Sequence, residues 1–141
     1  MPYTTELTED YMGVLHSGTG VVTGEEILRG SQALAQLVEN TENFHYEFVD
    51  LSAASDVQIS PEHLRAIFEQ DQFAAFFRPH EVVVIVAPND RVMEVARQWE
   101  EMVQHLGWTI HIARERAAGW EWLRENFRTQ PDENLLRHRD R

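Results

Sequence analysis

A chain of 141 residues with 43% apolar content is one domain, with enough length to bury a full core. It has no cysteine, which excludes disulfides, thiolate nucleophiles and cysteine-based zinc sites. All twelve basic residues are arginine, so Schiff-base chemistry and a Walker A loop are excluded as well, and the net charge of −12 repels nucleic acid and anionic membrane surfaces.

The charge is uneven. The stretch from Arg128 holds four of the twelve arginines and three of the twenty-four acids, leaving the body at −13 and this tail at +1. No apolar run is long enough to span a bilayer. Glu6, Glu9 and Asp10 stand where a signal peptide would carry basic and apolar residues. The expectation is a soluble, cytoplasmic protein without a cofactor.

Strands are predicted over 3–7 and 11–17, joined as an antiparallel hairpin through Thr8, Glu9 and Asp10. Gly18, Gly20 and Gly24 then read as loop residues, since their spacing is not a dinucleotide fingerprint. Thr23 and Glu26 form a capping box for a helix to about residue 39, with Ile27, Leu34, Leu37 and Val38 as its apolar stripe. Asn40 and Asn43 mark its exit. A strand follows over 45–51, and a loop rich in small residues over 52–59. Ser60, Pro61 and Glu62 open the next helix as cap, first-turn proline and first-turn acid. Its stripe is Leu64, Ile67 and Phe68, continued by Phe73, Phe76 and Phe77 or broken after Asp71.

Residues 81–90, Glu-Val-Val-Val-Ile-Val-Ala-Pro-Asn-Asp, organise the chain. A strand apolar on both faces must be covered on both, as in the interior of a mostly parallel sheet. Pro88 ends it, because proline donates nothing to a ladder. Asn89 or Asp90 caps a helix over 90–106 with Val92, Val95, Ala96, Trp99, Met102, Val103 and Leu106 inward. Gly107 stops that helix, 108–113 is the last strand, and 115–127 is the last helix. Trp120 and Trp122 are two apart, so Trp122 with Leu123 is read as core and Trp120 as outward. The polar tail, 128–141, has Leu135 and Leu136 as its apolar pair. The order ββαβαβαβα implies an α/β fold with a parallel sheet behind the first hairpin.

Four segments in this order resemble the SpoIIAA-like proteins: Gly20-Val21-Val22-Thr23-Gly24-Glu25-Glu26, Val49-Asp50-Leu51-Ser52, Val84 through Asp90, and Trp122-Leu123. Those proteins are small bacterial relatives of the STAS domains and share a fold with CRAL-TRIO lipid-transfer domains. The resemblance covers residues 3–127 as a single domain, with 128–141 as a tail. It implies a mixed sheet of about five strands and about four helices mainly on one face.

STAS anti-sigma antagonists are switched at a serine that opens the helix after the Asp-Leu-Ser strand. The nearest position here is Ser60, but the glycine of that pattern is missing, Pro61 follows, and Glu62 would repel a phosphate. Helix capping explains Ser60 without a switch. Asp50, Ser52, Asp56, Asn89 and Asp90 fall at or beyond the C-terminal ends of strands, the edge where open α/β sheets bind ligands. With Ser60 they are the candidate ligand-binding or regulatory residues. No catalytic set and no metal set is found: the seven histidines form no His-x-x-x-His or Glu-x-x-His unit.

The reading that follows is a non-enzymatic STAS-like module acting through contact with a protein partner. Its alternative is a carrier of a lipid or small apolar molecule, with an enzyme using Asp50 or Asp56 as base in third place. Tyr46, Phe48, Trp108, Ile110 and Ile112 are expected to face the helices. His45, Glu47, Thr109 and His111, with His16, then lie on the other sheet face, covered by a second copy in a homodimer or by the tail through Leu135 and Leu136.

Overall fold

The structure is a computed structural model that describes residues 3–10, 12–39 and 44–127. Five strands form one sheet in the order β1-β2-β3-β4-β5. They are β1 (Tyr3–Leu7), β2 (Gly13–Thr23), β3 (Tyr46–Gln58), β4 (Val82–Val86) and β5 (Thr109–Ala113). β1 runs antiparallel to β2, and the other pairs are parallel. The helices are α1 (Gly24–Val38), α2 (Pro61–Phe77), α3 (Asp90–Val103) and α4 (Arg116–Phe127), and a 3-10 turn (Gln104–Leu106) continues α3. This is the expected mixed α/β sheet with an antiparallel start and four helices.

The caps are where the sequence puts them. Thr23 Oγ1 accepts from the Glu26 N–H while Glu26 Oε1 accepts from the Thr23 N–H. Ser60 accepts from the His63 N–H, and Asn89 from the Val92 N–H. All of β4 is buried, as a two-sided apolar strand requires.

Two predicted loops are strand instead. The glycine segment after Ser17 continues β2, and the small-residue segment after Leu51 continues β3. The two pair from Thr19 with Ala53 to Thr23 with Gln58, with register shifts between Ser17 and Thr19 and between Gly20 and Val21. Ala54 and Val57 are buried while Ala53, Ser55 and Gln58 are exposed; the buried positions fall three apart, so strict alternation is lost where the register shifts. β4 ends at Val86, opposite Asp50. Beyond that point β3 has β2 on one side, and on the other Asn89 Nδ2 donates to Ser55 O (3.4 Å) and Arg91 Nη2 donates to Val57 O (3.3 Å).

The sheet faces differ from expectation. α1, α2 and α3 cover one face, where Val83, Ile85, Ile110, Ile112 and Trp108 pack. α4 covers the other, packing on Phe48, Tyr46, Val82, Val84 and Val86. Tyr46 and Phe48 therefore face away from Ile110 and Ile112, because Phe48 pairs with Val84 and Val84 with His111. Trp120 is not outward: it stacks on Phe48 with centroids 3.9 Å apart and rings 7° from parallel. Trp122 stacks on His111 at 4.5 Å, and Leu123 is buried between the two tryptophan contacts. Flat rings flanking a buried leucine reach down to the sheet from both sides, so a spacing of two does not send one of them to solvent. A Cβ on Gly119 would lie 3.1 Å from the Phe48 ring, so glycine lets α4 come this close.

Of the residues expected on the face open to a second copy, His111 and His45 lie against Trp122 and Phe127 of α4, whereas His16 and Glu47 lie on the three-helix side. The tail offered as the other cover of that face, with Leu135 and Leu136, lies outside the described residues, as does the exit at Asn40 and Asn43. Residue 11 is outside as well, and β2 begins at Gly13. α2 is one unbroken helix whose buried side is Ile67, Asp71 and Ala74. Phe73, Phe76 and Phe77 do not continue the stripe: they are 62%, 83% and 71% exposed. Asp71 holds the core position in their place.

Candidate functional site

A cavity of about 90 Å³ lies between the sheet and the three-helix layer. Its wall is apolar toward the C-terminal end of the sheet, with Val57, Ile59 and Val92. Toward the strand starts it is polar: Tyr3, His16, Ser31, Glu47, Asp71 and Trp99.

The polar wall is a connected network. His16 on β2 is 1% exposed, with Nε2 donating to Glu47 Oε1 at 2.7 Å and Nδ1 lying 2.8 Å from Thr5 Oγ1. Tyr3 stacks on the His16 ring at 5.7 Å. α1 comes within reach because its residue above this point is Gly30: a Cβ there would lie 2.6 Å from Tyr3 and 3.3 Å from His16 Nδ1. Gly30 costs α1 about 1 kcal/mol of helix propensity against alanine, and the close approach is its reason.

Across the cavity, Trp99 Nε1 donates to Asp71 Oδ2 at 2.7 Å. Behind Glu47, Arg78 Nε donates to Glu81 Oε1 at 3.0 Å, and Trp108 Nε1 fixes the Arg78 carbonyl at 2.7 Å. Glu81 Oε2 is buried without a donor.

Three buried carboxyls share this space, and they divide the protons between them. Burial pushes Glu81 well above the ordinary carboxyl range, and the Glu47 charge adds to it against the pull of Arg78. Burial would also raise Glu47, but the hydrogen bond and charge of His16, with help from Glu81 and Arg78, hold it below its usual value. Burial and then the Glu47 charge raise Asp71 to about 8, in spite of Trp99 and Arg78. At neutral pH Glu47 is the carboxylate and Asp71 carries a proton, while Glu81 is pushed toward its protonated form.

None of the six sequence candidates lines the cavity. Asp50 is buried on the α4 side, accepting from Ser52 N (3.0 Å) and Ser52 Oγ (2.6 Å) and facing Arg116 Nε at 3.3 Å. Asp56 accepts from its neighbour Val57 N and from Arg91. Asn89 caps α3, and Asp90 pairs with Arg114 at 2.7 Å. Ser60 caps α2 beside His63. Apart from the Asp50–Ser52 bond, no hydrogen bond or ion pair joins one of the six to another among the described residues. The edge is a set of caps and arginine-paired carboxylates, and Asp50 and Asp56 make no acid–base pair.

Sequence reasoning missed His16, Glu47, Asp71 and Glu81. Two signals were present. Asp71 falls at helical spacing from Leu64 and Ile67, and Gly30 falls in the gap of the Ile27–Leu34 stripe. Among the described residues no three His, Asp or Glu side chains gather as a metal site, and no helix is long and apolar enough to cross a membrane.

No family model matches the chain, and no curated protein does. A solved structure does: an uncharacterized protein of the DUF3478 family with a SpoIIAA-like fold, from Shewanella loihica PV-4. It is 12% identical, with a TM-score of 0.53 over 86% of this chain and 91% of that one. At that identity the likeness concerns the fold, and the chain has a SpoIIAA-like fold.

Proposed function

We propose that this chain is a non-catalytic binding module that admits a small, largely apolar molecule to the cavity between the sheet and α1–α3. The cavity itself carries the reading: an apolar pocket with a few convergent polar groups, one of them strongly shifted in pKa, is the usual form of a ligand site. About 90 Å³ suits a short-chain molecule and not a whole lipid tail, since a dry cavity of about 150 Å³ is what benzene needs. Of the two readings drawn from sequence, this supports the small-molecule carrier in a reduced form.

The test is methyl NMR with a series of short alcohols and ketones. Shifts are expected at Val57, Ile59 and Val92, and Ala96→Leu, which grows into the cavity, should abolish them. A series in which no compound moves those methyls removes the reading.

A second reading, contact with a protein partner, draws on the exposed Phe73, Phe76 and Phe77 at the end of α2. Glu39, just past α1, and Glu69 on α2 are exposed nearby, and the body of the chain carries the acidic excess. The fitting occupant is an apolar contact with a basic rim. Phe76→Ser should leave the melting temperature unchanged and weaken binding of a basic amphipathic peptide. Equal binding by both proteins ends this reading, and sedimentation equilibrium shows whether a second copy occupies the surface.

A further inference from the structure

We infer that the cavity selects a small amine, with its ammonium against Asp71 and its carbon chain along the apolar wall. This rests on the ligand-site reading and gives it a chemical class.

The polar end is built from acids. Asp71, Glu47 and Tyr3 line it, with His16 as the one basic side chain among the lining residues. His16 is committed on both ring nitrogens, to Glu47 and Thr5. Asp71 is not: Trp99 holds Oδ2, and no hydrogen bond from the described residues reaches Oδ1. Asp71 is 9% exposed, so that free oxygen belongs to a side chain nine-tenths buried in the wall of the cavity. An anion placed there could accept from the protonated Asp71 but would meet the charge of Glu47. A neutral alcohol would gain one hydrogen bond. An ammonium gains a charge-assisted bond to Asp71 and the field of Glu47.

The protons balance. Asp71 faces Glu47 on β3, Arg78 and Glu81 at the approach to β4, and Trp99 on α3, with His16 and Tyr3 behind Glu47. That surrounding keeps Asp71 protonated at neutral pH. Entry of an ammonium stabilises the carboxylate, so the Asp71 proton leaves to solvent and the buried pair stays neutral overall. Binding therefore releases about one proton.

The experiment compares isobutylamine, isobutanol and isobutyrate on the full chain by calorimetry at about pH 7, in two buffers of different ionisation enthalpy. The amine is expected to bind at least about tenfold tighter than either of the others, with proton release on the amine alone. Asp71→Asn keeps the shape and the Trp99 bond; it should lose the amine preference and the proton release while still binding isobutanol. Equal affinity for the three probes, or a preference for isobutyrate, overturns the amine assignment and leaves the cavity reading standing. Failure of all three to bind overturns both. Should Asp71→Asn not fold, the proton count on the unmodified chain decides: binding of the amine without release contradicts the inference.

Discussion

On the α4 side of the sheet, Phe48 lies flat under Trp120 at 3.9 Å, and β3 contributes nothing ionised to the middle of that contact. One residue earlier, on the other side, the same strand turns Glu47 toward His16 and a cavity of about 90 Å³. A core that packs aromatic rings to van der Waals contact leaves little space. The three-helix face keeps a cavity, and lines it in part with carboxyls that cost stability unless they are partnered. Stability is concentrated where α4 closes; chemical capacity is concentrated where α1, α2 and α3 do not quite close.

That contrast can be broken most severely from within β4. Val84 is fully buried against α4, and Val84→Asp buries an unpaired charge there, at a cost of several kcal/mol. Loss of the cooperative melt by circular dichroism is expected. A melt near the parent temperature would mean that the strand is not two-sided.

Adding bulk separates the faces more finely. Gly119→Val drives a side chain into Phe48 and should cost about 1–3 kcal/mol or more. Ala96→Leu on the other face has the cavity to grow into and should cost under about 1 kcal/mol. Urea midpoints of the two variants in the reverse order would contradict the packing difference.

Proton linkage separates them again. Asp71 titrates near 3.8 when unfolded and about 8 when folded, so the folded chain holds a proton that the unfolded chain has lost between those values. Its contribution to stability is complete below the lower value and falls as pH rises, by at most about 1.4 kcal/mol per pH unit, until it levels off above the higher one. Glu81 works in the same direction. Asp71 makes stability decline between about pH 4 and about pH 8, and Asp71→Asn should flatten that decline. An unchanged slope in the variant would place the proton elsewhere.

The smallest effect lies outside both cores. Thr23→Ala removes the capping box of α1 and should cost about 1 kcal/mol. An unshifted denaturant midpoint would show that α1 begins without its cap.

Caps and strand number were legible because each rests on local chemistry: Thr23 with Glu26, Ser60 with Pro61, the apolar run before Pro88. The faces were not. Alternation tells which residues of one strand share a side, but only register relates that side to the next strand, and the register joins Phe48 to Val84 and His111. Alternation places Glu47 on the face expected to meet a second copy or the tail, and Asp71 stands at a possible break in the helix stripe. Their partners, His16 thirty-one residues away and Trp99 twenty-eight away, come together only in the folded chain. The strand extensions were hidden by composition: glycine, alanine and serine have low strand propensity, and pairing overrode it.

Those extensions carry a hazard that the fold meets at one point. Past Asp50, β3 offers an open edge, the kind of surface on which a second chain can add a strand and begin to aggregate. The carbonyls of Ser55 and Val57 are engaged there by Asn89 and Arg91, two side chains at the start of α3. The cap residue and the arginine after it thereby act as a guard on the edge, in addition to starting a helix. A chain in which α3 docks late during folding would expose that edge while concentrated and incomplete. Docking of α3 is therefore the step that closes this edge.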